Sequence, residues 1–313
     1  MPGNSNFDAL LSTTLANYRS QLTDNVFTAR PLTYTLMDKG RIRMLNGGTK
    51  IVEPLIYGKN STVSSYSGYD SLALTPQEGI SSAEYDWKQY AASISISGIE
   101  EAKNNGDQEI INLLEAKIMQ AEESMREAFN QMFFSDGTGN SSKDWNGLAN
   151  LVAATGTVGN IDSTATGNTF WKSYVESTAT ALTLAQMSTA YNSVSVGNDH
   201  PDTLLTTQTL FEKYEALLQP NLRFTDTKTA DAGFQNLLFK AAPVMYDVHC
   251  PAGNFFFLNS KYITLVGHSN KWFAQTEFIK PEDVDARYAL IMCYGNLTVR
   301  NRAKQGKLTA KTA

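Results

Sequence analysis

One stretch of the sequence has oxygen-bearing side chains at the spacing of a cation site: residues 133–152, FFSDGTGNSSKDWNGLANLV. An oxygen recurs at every second position, in Asp136, Thr138, Asn140, Ser142 and Asp144. A calcium-binding loop of this kind also requires Gly at its sixth position and a bidentate Glu at its twelfth. Counted from Asp136, those positions hold Ser141 and Gly147. The stretch therefore fails the calcium template, and its Gly, Asn, Asp and Ser residues are typical of a turn.

The residues that most often perform catalysis or bind zinc are few. The chain has three His and two Cys, and His249, Cys250, His268 and Cys293 are the right types for zinc. Their spacing matches no zinc arrangement, and we expect structural roles for them. Nucleotide-binding glycine loops, a nucleophile elbow and HExxH are all absent from the sequence.

A pair of acidic residues could in principle form a catalytic dyad. Asp283 and Asp285 follow Pro281 between two predicted strands. This setting favours a solvated turn over paired carboxylates. We therefore predict no catalytic residue, no cofactor site and no metal site.

Composition limits the classes of partner. Hydrophobic residues make up 42% of the chain, enough for a sizeable core. The formal net charge of −5 lacks the strongly basic footprint of a dedicated nucleic-acid binder. Two cysteines in 313 residues are typical of a reducing compartment. Neither a signal peptide nor an apolar run of membrane-spanning length is present, so we expect no contact with a membrane.

Residues 41–98 predict a long two-stranded β-hairpin. Both ends have extended character, and Ile94 and Ile96 alternate with Ser at the second end. The middle, KNSTVSSYSGYDSLALTPQEGISSA, is rich in Ser, Gly and Tyr and poor in aliphatic residues. An isolated hairpin is marginally stable in water. We therefore expect this one to lie on another surface, of its own subunit or of a neighbour.

The strongest helical pattern follows the hairpin. Apolar residues recur at three- and four-residue steps at Ile110, Leu114, Ile118, Ala121, Met125, Phe129 and Met132. The pattern predicts a helix of about 25 residues, about 38 Å long. A shorter amphipathic stretch is predicted within residues 1–30, ahead of Pro31.

The second half of the chain predicts a compact α+β unit. Thr183 and Gln186 have the spacing of a capping box. Thr207 is placed to cap another helix, which Pro220 ends. The basic tail at 304–313 is predicted to be loosely held.

This order of arm, polar hairpin, long helix and α+β half resembles the major capsid protein of tailed bacteriophages, which has the Hong Kong 97 fold. The resemblance is strongest at 94–152 and 258–303. In many members the loop after the helix contains a D-G-T-G stretch, an aromatic or acidic residue, and then G-L. Here Asp136–Gly139, Trp145 and Gly147-Leu148 stand in that order.

The resemblance implies an α+β fold with five parts. They are an N-terminal arm (1–40), an extended loop formed by the β-hairpin (41–98) and a peripheral domain with the long spine helix (99–150). An axial domain (151–270) follows, and then returning peripheral strands with the C-terminal tail (271–313). The loop after the helix would be a hinge between the two domains, with Gly137, Gly139 and Gly147 turning the backbone.

The resemblance also implies partners. The hairpin would lie across a neighbouring subunit, with Tyr66, Tyr69 and Trp87 helping to pack it there. The chain would form hexamers and pentamers of a viral head around double-stranded DNA held without sequence specificity. We expect a separate scaffolding protein, because only about 30 residues precede the hairpin. A portal at one vertex, a possible decoration protein and assembly in the host cytoplasm complete this expectation.

Two other functions remain open at this point. The first is the shell of a cellular nanocompartment with the same fold, which encloses protein cargo. The second is a soluble α+β hydrolase or ligand-binding protein, which belongs to a different class.

Overall fold

A computed structural model describes residues 31–103, 113–218 and 237–313. The predicted helix within residues 1–30 and the first turn of the predicted long helix lie outside these ranges. The described part combines helices with mixed β-sheets, as expected from the sequence.

The elements are numbered here in chain order. The regular α-helices of the described residues are α1 (Pro31–Asp38), α2 (Gly98–Lys103), α3 (Leu113–Phe133), α4 (Leu148–Leu151), α5 (Leu184–Ser193) and α6 (Gln208–Leu218). One further helical turn, Gly139–Ser142, has positive φ at Asn140 and Ser141 and is not numbered. The strands are β1 (Ile42–Leu45), β2 (Ile51–Ile56), β3 (Ile80–Tyr85), β4 (Lys88–Ser97), β5 (Thr157–Val158), β6 (Ile161–Asp162), β7 (Tyr174–Glu176), β8 (Thr180–Ala181), β9 (Thr203–Thr206), β10 (Leu237–Phe239), β11 (Ala242–Tyr246), β12 (Phe255–Leu258), β13 (Ile263–His268), β14 (Ala274–Gln275), β15 (Ala286–Val299), β16 (Gly306–Leu308) and β17 (Lys311–Thr312).

The first sheet is organised around β15. Among the described residues, β15 pairs antiparallel with β4 on one side and with β13 and β14 on the other, and β1 adds parallel to β13. Helix α3 packs against β4, where the rings of Tyr90 and Phe129 lie 5.4 Å apart. The predicted apolar stripe of α3 supplies this contact, since Met125, Phe129 and Met132 are all buried.

The second sheet has the strand order β10-β11-β9-β12-β16-β7. Helices α5 and α6 contribute Met187, Phe211 and Tyr214 to a separate apolar cluster that this sheet shares. The predicted capping box at Thr183 and Gln186 is present, and both of its hydrogen bonds form. Thr207 Oγ1 also accepts a hydrogen bond from the Leu210 N–H at the start of α6, as predicted.

The two-stranded hairpin is shorter than the 41–98 range read from the sequence. Only β2 and β3 pair with each other, from Ile51–Tyr85 to Ile56–Ile80. Strands β1 and β4 belong to the first sheet instead. The Ile94 and Ile96 alternation buries one face of β4, which explains why this strand joins the core instead of the hairpin.

The prediction of a loose C-terminal tail is wrong. Strand β16 lies between β12 and β7 in the second sheet, and β17 pairs with β8. The ammonium of Lys311 is enclosed, where it donates to Glu176 Oε1 at 2.8 Å and to the Thr178 carbonyl at 2.9 Å. The basic residue Lys311 thus belongs to a buried ion pair. Composition alone cannot distinguish such a lysine from one in a solvated tail.

We expect Lys311→Met to lower the free energy of unfolding by about 1–3 kcal/mol, because Glu176 and the Thr178 carbonyl would lose a buried partner. Urea denaturation of the purified chain measures this loss. Lys172→Met is the matched control, since Lys172 is exposed. Equal midpoints for the two variants would contradict the assignment of a structural role to the tail.

Candidate subunit interface and hinge loop

The β2–β3 ribbon has one face turned to the core and one turned outward. Ile51, Leu55 and Ala83 are buried on the inner face, and the Tyr85 hydroxyl donates to the Val299 carbonyl at 2.7 Å. On the outer face, Ile56 and Ile80 form a directly opposed pair with exposed fractions of 84% and 78%. The ribbon is thus anchored to its own subunit on one side only.

The tip of the ribbon contains Tyr66 and Tyr69. Residues 57–79 contain no strand or helix, Tyr66 is 66% exposed and Tyr69 is fully exposed. The structure therefore brings these two predicted interface residues together in one protruding loop. Their role in subunit contact stays a prediction.

Trp87 lies elsewhere, at the base of the ribbon. Its Nε1 donates to the Gly48 carbonyl at 2.8 Å, and its ring packs edge-on against His268 at 5.7 Å. These contacts hold the start of β4 against β13 within one chain. The sequence analysis grouped Trp87 with Tyr66 and Tyr69 as interface residues, but in the structure Trp87 lies apart from these two tyrosines.

A buried carboxylate supports the ribbon, and the sequence analysis missed it. Glu53 is 1% exposed on the inner face of β2 and accepts hydrogen bonds from Arg43 Nη1 at 3.3 Å and from Thr298 Oγ1 at 3.4 Å. The alternation Ile51, Glu53, Leu55 is the signal that could have located it, because all three positions face the same side of a strand.

In the loop after α3, the carboxylate of Asp136 accepts its hydrogen bonds from within the loop. Asp136 Oδ1 accepts from the N–H of Thr138 at 3.0 Å and from its hydroxyl at 2.7 Å. These hydrogen bonds hold the pKa of the Asp136 carboxyl below its usual value. Gly137 between them has a φ of +75°, a conformation that favours glycine. The alternating oxygens thus belong to a tight turn.

Gly147 occupies the closest approach in this loop. A Cβ at this position would overlap the carbonyl oxygens of Met132, in the last turn of α3, and of Ser135, two residues beyond it. The N–H of Ala149 donates to the Ser135 carbonyl at 3.2 Å, so the start of α4 caps the end of α3. Gly139 differs, because its Cβ would meet only the flexible carboxylate of Asp144.

Trp145 fixes the loop to the first sheet. It is fully buried, with its ring 4.7 Å from Phe129 of α3 and 6.2 Å from Trp272. The close packing of its ring against Gly295 places it directly on β15. The predicted hinge glycines therefore lie on either side of a buried Trp that packs the loop against α3 and β15.

Helix α3 is also joined to the second sheet by polar contacts. Asn130 Nδ2 donates to Asp247 Oδ1 at 3.1 Å, and His249 Nε2 lies 2.5 Å from Glu127 Oε1. Burial raises the pKa of the Asp247 carboxyl. Nothing in the sequence pattern indicated this pairing, because its members are more than 100 positions apart.

The other residues that the sequence analysis considered for zinc binding or catalysis do not come together in one site. His268 packs on Trp87, whereas Cys250 and Cys293 are buried free thiols, and burial raises the pKa of Cys293 to about 12. Within the described ranges, no three potential metal-ligating side chains form a cluster. Asp285 lies in an exposed turn and pairs with Lys280 at 2.9 Å, which lowers the pKa of its carboxyl.

No helix in the described ranges has the length and apolar character needed to cross a membrane.

Solved structures similar to this chain include phage capsids and an encapsulin. A capsid chain of cyanophage A-1(L) matches with a TM-score of 0.70 at 15% identity, over 96% of this chain and 98% of that one. The SrpI encapsulin of Synechococcus elongatus PCC 7942 matches at 0.59 and 12% identity, over 93% and 92%. The procapsid of satellite phage P4, which includes the size determination (Sid) protein, matches at 0.52 and 14% identity, over 92% and 94%. No match was found among curated protein sequences.

These matches confirm the α+β Hong Kong 97 fold. The family model described as SU10 major capsid protein matches residues 90–312. The chain therefore belongs to the SU10 major capsid protein family. It is a structural capsid protein of phage type and not an enzyme, so the hypothesis of a soluble hydrolase is wrong.

We expect Gly147→Ala to destabilise the chain by about 1–3 kcal/mol, because the new methyl group cannot share the space of two backbone carbonyls. Urea denaturation is the measurement. Gly139→Ala is the matched control, since only the mobile end of Asp144 must move. A larger loss for Gly139→Ala than for Gly147→Ala would contradict this account of the hinge loop.

Proposed function

We propose that this chain is the repeating subunit of an icosahedral phage head, in which it forms hexamers and pentamers around packaged double-stranded DNA. Family membership supports the role in a capsid. The observation that supports contact between subunits is the shape of the β2–β3 ribbon. Its outer face exposes an apolar pair, and its tip protrudes from the core of its own subunit.

The ribbon supports contact between subunits for an energetic reason. Ile56, Val63 and Leu74 each leave most of their side chain in water, although burial of such a side chain contributes about 1.5–3 kcal/mol. Residues 57–79 make no regular structure of their own. A neighbouring subunit is the surface that would bury these side chains, with Tyr66 and Tyr69 at the same tip.

The division into domains is part of the proposal. In it, α3 and the first sheet form the peripheral domain, and the second sheet forms the axial domain. The loop at 136–147 joins the two, with Gly137, Gly139 and Gly147 at the junction. Strands β16 and β17 return the chain to the axial domain, so the boundary in this C-terminal part lies near residue 305.

Further partners follow from the proposed head. The net charge of −5 suits an inner wall that holds DNA loosely and without sequence specificity. We propose a separate scaffolding protein, and the presence of the Sid protein in the satellite phage P4 procapsid supports such assistance in this fold. A portal and a possible decoration protein complete the particle, which assembles in the host cytoplasm.

A cellular nanocompartment is the second candidate. The likeness to the SrpI encapsulin favours it, because that shell has the same fold. The phage alternative is preferred since the family model is that of a phage major capsid protein. Particles purified from cells distinguish the two, as DNA would be enclosed in one case and protein cargo in the other.

We expect replacement of residues 60–77 by an Asn-Gly turn to abolish shell formation and to leave the monomer folded. A two-residue Asn-Gly turn suits a β-ribbon, and the deleted residues contribute nothing to the buried core. Negative-stain electron microscopy with sedimentation measures assembly, and circular dichroism measures folding.

The full-length chain, treated in parallel, is the control for this deletion. Normal shells from the shortened chain would contradict a role of the tip in assembly. Failure of the full-length chain to form closed shells, tubes or rings, even with its phage's scaffolding protein present, would contradict the proposed function.

A further inference from the structure

Strand β4 leaves a free edge on the first sheet. Its described pairing partner is β15 alone, with Ser93 opposite Leu290 and Ser95 opposite Tyr288. Residues of an antiparallel strand direct N–H and C=O to one side, and this side alternates along the chain. The direction of each backbone group in β4 can therefore be worked out from β15.

Leu290 and Tyr288 direct their backbone groups away from β4. The Leu290 carbonyl accepts from the Thr276 N–H at 2.9 Å, and the Tyr288 N–H donates to the Ile279 carbonyl at 3.0 Å. The residues opposite them in β4 therefore form non-hydrogen-bonded pairs. It follows that Ser93 and Ser95 present their N–H and C=O groups to the free edge.

Two independent contacts agree with this direction. Lys117 Nζ donates to the Ser95 carbonyl at 3.1 Å, and the Ser97 N–H donates to Glu100 Oε2 at 3.0 Å. Within the described parts of the chain, the backbone groups of Ala91 and Ser93 receive no such partner. Gln89, Ala91 and Ser93 thus form an unpaired backbone edge.

From Gln89 to Ser93, this edge lacks the features that usually protect one. Edge strands are commonly shielded by charged residues, Pro or bulges. From Gln89 to Ser97 the sequence is QYAASISIS, with no charge and no Pro. Beside the edge, a cavity of about 340 Å³ separates β4 from α3. Its lining combines small residues such as Ala92 and Ala121 with the longer side chains of Lys117 and Gln120. The site can therefore accept an extended chain with side chains of moderate size.

The same chain contains a segment suited to this site. Residues 71–75, SLALT, have no helix, turn or strand, and Leu72 and Leu74 are 53% and 91% exposed. In an extended segment, side chains two positions apart project to the same side. Two leucines would thus enter the cavity while the backbone between them meets the edge.

We infer that residues 71–75 of one copy add as a strand to the free edge of β4 in a second copy. This inference rests on the proposed shell function and names the contact through which the ribbon tip acts. Each copy donates one segment and accepts another, which makes the contact head-to-tail. Such contacts close into rings when the rotation between copies permits it.

Disulfide trapping tests the inference in assembled shells. Ala73→Cys is combined in one chain with Cys at position 89, 91 or 93 in turn, because the register of the added strand is not fixed. Ala73 lies between the two leucines, so its side chain would project to the exposed face of the sheet, which the side chains of these three positions share. A disulfide requires Cα atoms within about 4.4–6.8 Å. The native Cys250 and Cys293 are buried and leave the background low.

We expect at least one pairing to yield a ladder of linked chains up to the ring size on a non-reducing gel. A mixture of the two single variants should stop at dimers. Ala73→Cys with Val196→Cys is the matched control, since Val196 is exposed on the second half of the chain. Shells with no ladder for any of the three positions, or with an equal ladder for Val196, would overturn the inference and leave the shell function intact. Absence of shells from the unmodified chain would overturn both.

A backbone substitution provides the second test. Ser93→Pro removes an outward N–H without breaking a β4–β15 hydrogen bond, whereas Ser93→Ala keeps it. We expect Ser93→Pro to lose sedimentable shells at concentrations where Ser93→Ala forms them, with the same monomer melting temperature. Equal assembly of the two variants would refute strand addition at this edge.

Discussion

The pairing of β4 with β15 over ten consecutive residue pairs determines the positions of the other functional elements. It carries the chain from the base of the ribbon back into the core and provides the surface on which α3 packs. The same pairing commits the backbone groups on one side of β4 to β15. The other side is unpaired from Gln89 to Ser93 within the described chain, beside the cavity between β4 and α3.

A second constraint links this sheet to the rest of the chain. Trp145 packs between α3 and β15, while Gly147 lets α4 begin directly beneath the last carbonyls of α3. Asn130 and Glu127 extend the same helix to Asp247 and His249 beside the second sheet. Movement of α3 would therefore be transmitted to both sheets, which suits a subunit whose two halves must keep a fixed relation within a shell.

The sequence indicated the elements whose signals are local. The apolar stripe of α3, the capping box at Thr183 and the turn after residue 133 follow from three- and four-residue spacings and from glycine chemistry. Composition and family resemblance indicated an exposed ribbon tip with Tyr66 and Tyr69, whose role in subunit contact stays a prediction. The hairpin limits were misjudged, since strands β1 and β4 look like hairpin strands until their long-range partners are known. The ion pairs of Glu53 and Lys311 depend on distant residues and left only faint patterns.

An unprotected strand edge and an unpaired leucine segment are hazards in a protein that remains a monomer, because both promote indiscriminate pairing. The chain separates them, one beside α3 and the other at the tip of the ribbon. Head-to-tail addition would consume both at once, and a closed ring would leave neither exposed. The angle between neighbouring subunits would then prevent pairing with wrong partners, as charged residues do at other strand edges. A ring closes only when each ribbon reaches the next subunit at a constant angle, so the rigid anchoring of the ribbon base by Trp87 and Glu53 would be a condition for correct assembly.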